Sequence, residues 1–269
     1  MSHIKNWKKT VIKHHKQSES KILYKQNDDF WEDKVEGFIP PELPDFNDPT
    51  LSFLRTHLSP DSSVLDLGGG AGRLSIPLAQ KNHKVTIVDS SKAMIMSADK
   101  HYKYLGLKNV STYHSQWEEF ENNKYDYIIC AHVIYGVSNI KKFIEKIKSS
   151  INKNAIIIMY NNYPQSHISD IWELYYQEQR INLPGITELR DVINELNIEY
   201  KFYNIEEFDL PTFDNFDSML ESISSQMFLD RSNKNIEKLT KILENYMVVK
   251  KEEFIFPLKV VRKLQAIII

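Results

Sequence analysis

Apolar and polar positions alternate in blocks along the first two thirds of the chain. Short, nearly continuous apolar runs occur at Val64–Leu67, Lys84–Asp89, Tyr125–Ala131 and Ala155–Tyr160, and a more polar one at Asn109–His114. Runs of this length and content suit strands of a parallel sheet covered on both faces. Between them the spacing changes to that of helices. The stretch after Ala71, the stretch from Ser91 through Lys103, and Asn139 to Ser149 each set apolar residues on one face. In the last of these, Ile140, Phe143, Ile144 and Ile147 share a side. Strands alternating with helices from residue 62 to about 160 predict an α/β fold with a doubly wound parallel sheet.

The flanks read differently. Residues 1–36 are polar, with scattered aromatics, and Lys8, Lys9, Lys13, His14, His15 and Lys16 form a basic patch that reads as a solvated helical face. Pro40, Pro41, Pro44 and Pro49 make a loop before a short helix at Leu51–Leu58. Beyond Tyr160, residues 165–196 are expected to be helical. Ile198–Phe208 is expected to be a strand, and residues 211–247 a second helical insertion. Glu253–Leu258 together with Val260–Ile269 would supply a closing antiparallel strand.

Composition narrows the class without choosing the function. The chain has 269 residues, 42% hydrophobic, with a formal net charge of −2. That length fits one large domain or a domain with a cap. The balance of charge gives no pull toward nucleic acid or an anionic membrane. Cys130 is the single cysteine, so neither an internal disulfide framework nor a cysteine metal site is available; it reads as a small buried hydrophobe. No apolar leader and no run of membrane-spanning length is present, and a cytoplasmic setting is expected.

The chemistry concentrates where the first strand ends. Asp66 is followed by Gly68, Gly69, Gly70 and Gly72, so the loop reads Asp-x-Gly-x-Gly-x-Gly. Glycines let backbone approach a ligand closely, and a helix N-terminus after them points N–H groups at it. A dinucleotide fingerprint would need its third glycine at position 73, which is Arg73. A nicotinamide oxidoreductase is therefore disfavoured. Asp89, at the end of the second strand, stands 21 residues after Gly68. An acid at about that offset meets ribose hydroxyls in Rossmann-like folds; the competing reading is a solvated strand-end cap. Ser90 and Ser91 then cap the following helix.

These residues resemble the first and second motifs of class I S-adenosylmethionine (SAM)-dependent methyltransferases. The resemblance covers about residues 60–208. It implies a Rossmann-like seven-stranded sheet of order 3-2-1-4-5-7-6 with the last strand antiparallel. Residues 1–58 would form a helical lid, 59–163 the SAM-binding core, and 164–269 the rest of the sheet with insertions making a substrate cap. In the cofactor site it places Asp66, Gly68, Gly69, Gly70 and Gly72 at the methionine part, with Asp66 orienting the loop or meeting the amino group. Asp89 and Ser90 would stand at the ribose and Met94 at the adenine. Gln116 takes the position usually held by a short acid or amide facing the adenine amino group. Trp117 would cover the ring or pack on the sheet edge. Ala131 and His132 fall where the family lines the methyl-transfer region, and His132 and Tyr135 are the catalytic candidates. Phe30–Phe38 is similar to an aromatic leader of this family, so Tyr24 and Trp31 are lid candidates or simple packing residues. Asn161–Pro164 either bonds a substrate or ends a strand.

The expected activity is methyl transfer to a small-molecule acceptor, with S-adenosylhomocysteine (SAH) as product, no metal, no nucleic acid and no membrane, in a monomer or homodimer. The Asn/Asp-Pro-Pro-Tyr/Phe motif of amino-group transfer to nucleic acids and glutamine is absent after Ala131. Arsenic methylation needs several cysteines. A SAM-binding sensor without transfer is the alternative, since its nucleotide cradle would be the same.

Overall fold

The computed structural model describes residues 2–22, 29, 31–121, 123–230, 232–250, 252–257 and 262–269. Five parallel strands, β1 (Ser63–Leu67), β2 (Lys84–Asp89), β3 (Val110–His114), β4 (Tyr125–Ala131) and β5 (Ile151–Tyr160), lie in the order 3-2-1-4-5. The sheet is completed by β6 (Lys201–Phe208) at the edge. Between β5 and β6 lies β9 (Arg262–Ile268), antiparallel to both. Because β9 is the last of the seven strands in sequence, this is the expected order. β7 (Val248–Lys250) and β8 (Glu253–Ile255) pair only with each other. The expectation that Glu253–Leu258 joins the closing strand is corrected: Phe254 instead bridges Phe213, inside the insertion.

The strands' alternation assigns their side chains to two cores. Leu65, Leu67, Ile128, Cys130, Ile157 and Met159 face α1 (His3–Glu19), α5 (Ile140–Ser149) and α7 (Ile186–Glu195). Val64, Tyr127, Ile129, Ile156 and Ile158 face α2 (Pro49–His57), α3 (Ser75–Ala79) and α4 (Lys92–Tyr104). Each run is apolar throughout because both faces are covered. By the same alternation Asp66 points toward the α2–α4 side.

The basic N-terminal patch is only partly solvated. Trp7 is buried, and its indole N–H donates to the Val137 carbonyl at 2.8 Å. His14 is also buried, with Nδ1 2.5 Å from the Ile181 carbonyl. The segment 165–196 is not one helix. α6 (Ser169–Tyr176) ends at Gln177, which has a left-handed backbone, and α7 starts only after Pro184-Gly185. Proline disfavours helix in the residue before it, and Glu188 accepts the Gly185 N–H at 2.8 Å to cap α7. The second insertion is likewise two helices, α8 (Phe216–Gln226) and α9 (Asn233–Tyr246), separated at left-handed Phe228. Buried Trp172, Met219, Ile223, Leu239 and Leu243 join α6, α8 and α9 in a third apolar cluster.

Candidate functional site

At the carboxyl ends of β1, β2 and β4 the chain opens a cavity of about 560 Å³, a size typical of sites for cofactor-sized ligands. Its floor is the turn after β1. Gly68, Gly70 and Gly72 all have positive φ, at 68°, 56° and 87°, a region closed to most side chains. At Gly68 an added Cβ would sit 2.4 Å from Val133. Gly69 is there for a different reason: its Cβ would meet the Asp66 carboxylate at 2.5 Å.

Two carboxylates flank this turn. Asp89 accepts the Gly70 N–H through Oδ2 at 2.9 Å and the Ser91 N–H through Oδ1 at 2.8 Å. It therefore ties the glycine turn to the start of α4 while each oxygen keeps a lone pair. Burial raises its pKa, partly countered by the Ser91 and Gly70 bonds. Asp66 is 2% exposed, and its Oδ2 has no hydrogen-bond partner among the described residues. Burial pushes its pKa up to about 6; Asp89 adds to the rise, while Ser75 and Arg73 oppose it. A buried carboxylate without a partner is costly, and here it lies at the wall of a cavity.

The residues expected at the cofactor mostly converge. Asp66, Gly68, Gly69, Gly70, Asp89, Ser90, Met94, Gln116, Trp117, Ala131, His132 and Trp31 line this cavity. Met94 sits under Gly70, its sulfur 3.6 Å from where a Cβ would stand. Trp117 is buried against Phe120 and Phe143 and still contributes to the wall. Two expected residues lie elsewhere. Gly72 faces Ile76 and Ile87 and shapes the turn from behind. Tyr135 is buried outside the lining, its hydroxyl accepting the Tyr160 N–H at 2.7 Å. Tyr24 lies outside the described residues.

The same Tyr135 hydroxyl lies 3.2 Å from Nδ1 of His132, which does line the cavity. His132 has a left-handed backbone, φ 62°, held by its N–H bonding the Ile158 carbonyl at 2.9 Å. Burial, and then the charge of Arg73, lower its pKa to about 4, so the imidazole is neutral at pH 7. Its ring stands 4.8 Å from that of Tyr160.

Several lining residues escaped the reading of the sequence. Arg73 and the segment Gly136–Asn139 are part of the wall, as is Phe38 at the end of the aromatic leader. Arg73 was legible only as a mismatch to a dinucleotide loop. The Gly136–Asn139 segment carries no motif; α1 places it, through Trp7 on Val137. Among the described residues no cluster of metal-ligating side chains occurs, and no helix is long and apolar enough to cross a membrane.

Comparison with known proteins supplies a second line. A family model described as a methyltransferase domain matches residues 58–195. The ubiquinone biosynthesis O-methyltransferase of Rickettsia prowazekii (strain Madrid E) is 30% identical over 149 residues, which cover 51% of this chain and 59% of that protein. The chain thus matches little more than half the length of that relative. Among solved structures, the YcgJ protein of Bacillus subtilis superposes with a TM-score of 0.57 at 14% identity, covering 83% of this chain and 98% of that one. Phosphoethanolamine N-methyltransferase 2 of Haemonchus contortus, solved with phosphomonomethylethanolamine and SAH, gives 0.55 at 15% identity, covering 89% and 57%.

Proposed function

This chain belongs to the SAM-dependent methyltransferase family, and from that premise we propose that it moves a methyl group from SAM to a hydroxyl of a small-molecule acceptor, releasing SAH. The observation that carries the reading is the glycine turn with Asp66 and Asp89 beside it, at the wall of one cavity. The Asp66 carboxyl at the cavity wall suits an ammonium group. The remaining lone pairs of Asp89 suit a ribose diol. At the far end Gln116 offers a carbonyl to an adenine amino group, and Trp31 with Phe38 closes the mouth as part of a lid. We read the setting as cytoplasmic.

SAM supplies a methyl group already activated on a sulfonium, so the protein's tasks are alignment and exclusion of water. His132 is the residue we assign to the acceptor. The tautomer in which Nδ1–H donates to Tyr135 Oη leaves the Nε2 lone pair to accept from a hydroxyl. A pKa of about 4 makes this imidazole a weak base. It suffices, because a hydroxyl loses its proton readily once its oxygen begins to form a bond to carbon. Tyr135 is a positioning residue, fixing the ring from behind. The relative named as an O-methyltransferase supports a hydroxyl acceptor.

The test is calorimetric binding of SAH, followed by SAH release with a panel of phenolic and aliphatic hydroxyl acceptors. Binding with turnover, and turnover reduced at least about tenfold in His132→Ala with SAH affinity retained, is the expected result. A folded protein that binds neither SAM nor SAH would overturn the reading.

A further inference from the structure

Beyond His132, farther along the strand-end rim from the glycine turn, lies a cation without a counter-ion among the described residues. Arg262 begins β9, and because β9 runs antiparallel its first residue stands at the same rim as the end of β5. One guanidinium nitrogen, Nη2, donates to the Pro164 carbonyl at 2.7 Å and lies 2.7 Å from His167 Nδ1. The guanidinium carbon is 5.8 Å from the centre of the Tyr160 ring. Among the described residues no carboxylate pairs with it, although Lys263, its neighbour, pairs with Glu207 at 2.8 Å. Burial lowers its pKa, and the neighbouring Tyr160 and Tyr135 phenols oppose that. A half-buried guanidinium normally finds a carboxylate or phosphate.

The ring that Arg262 faces also faces the methyl-transfer region. Tyr160 is 4.8 Å from His132 on one side and 6.2 Å, edge to face, from Phe208 on the other. Both Tyr160 and Phe208 are only partly buried. From the cofactor cavity outward the order is therefore His132, an aromatic pair, and then an unpaired cation with nitrogens to spare. We infer that Arg262 recognises an anionic group on the acceptor, a carboxylate or phosphate attached to an apolar or aromatic body that lies along Tyr160 and Phe208. Hydrogen bonds from a guanidinium to a carboxylate or phosphate are charge-assisted and stronger than neutral ones. Nη2, which both two-pronged faces of the fork share, is occupied by Pro164 and His167, so among the described residues Nη1 and Nε are left as separate donors, either of which gives the anion one such bond. His167 is held neutral by burial and by the Arg262 charge, its pKa down at about 4, and so does not add a competing cation.

The inference rests on the methyltransferase reading and is tested apart from it. With the protein saturated in SAH, calorimetry measures the binding of matched probes: 3,4-dihydroxybenzoate and phenyl phosphate against catechol and phenol. The wild type should prefer the anionic member of a pair by at least about tenfold. Arg262→Gln should abolish that preference, and Arg262→Lys should restore part of it. Affinity for SAH, equal in all three proteins, reports that the fold and the cofactor cavity are intact. Because Arg262 also holds the Pro164 carbonyl, a purely structural role would weaken neutral and anionic probes alike. Binding of SAH with no preference for either acid, or a preference that survives Arg262→Gln, overturns the inference and leaves the methyltransferase reading standing. Failure to bind SAH at all is the outcome that sinks both.

Discussion

Asp66→Asn separates the cost of the site from its use. The buried carboxyl titrates at about 6 rather than at its ordinary 3.8. The folded protein therefore holds this proton more tightly than the unfolded chain. Stability is then greatest below the unfolded value, falls as pH rises, and reaches its full penalty above about pH 6. At about 1.4 kcal/mol per pH unit, the penalty is about 3 kcal/mol. Between pH 4.5 and 7.5 about 2 kcal/mol of it should develop, since the titration is already under way at the lower pH. The Asn variant lacks this titration. Urea unfolding without ligand at both pH values should show its stability, relative to wild type, improving by about 2 kcal/mol on going to pH 7.5. Comparing the change between pH values cancels any constant penalty from the buried amide. The same substitution should weaken SAH binding at pH 7.5 by at least about tenfold, because the ammonium loses its anion. A stability difference that does not move with pH, or moves the other way, refutes the account of Asp66.

Other perturbations follow from the same geometry. Asp89→Ala should weaken SAH binding at least about tenfold by calorimetry. It should also cost about 1–3 kcal/mol in urea unfolding, since the Gly70 and Ser91 N–H groups lose their acceptor. Tyr135→Phe strips the hydroxyl from both the Tyr160 N–H and His132. Turnover should fall with SAH affinity unchanged, and a parallel loss of both would show that Tyr135 serves the fold alone.

Within the strand–helix core, local pattern and outcome agree because each apolar run is covered on two sides and has no competing way to bury itself. The position of Gly70 beside Asp89 was implied by two short strand-end motifs on neighbouring strands. The insertions were harder. Helical spacing continues through residues 165–196, yet Gln177 and Pro184-Gly185 break it, and no spacing rule reveals where a chain must leave one layer for another. Glu253–Ile255 has the same β character as Arg262–Ile268, and only the partner available to each decided which joined the sheet.

The sequence by itself determined the α/β class, the strand order through its resemblance, and the cradle of Asp66, four glycines and Asp89, because these depend on neighbours in the chain. Tertiary structure decided that Tyr135 stands behind His132 rather than in the cavity, that Trp7 positions Val137, and that Arg262 lies beside Tyr160. Those contacts join residues about 100 or more positions apart, or turn on which way a left-handed backbone aims a ring. Burial, which no spacing reveals, lowers the pKa of His132 and raises that of Tyr135.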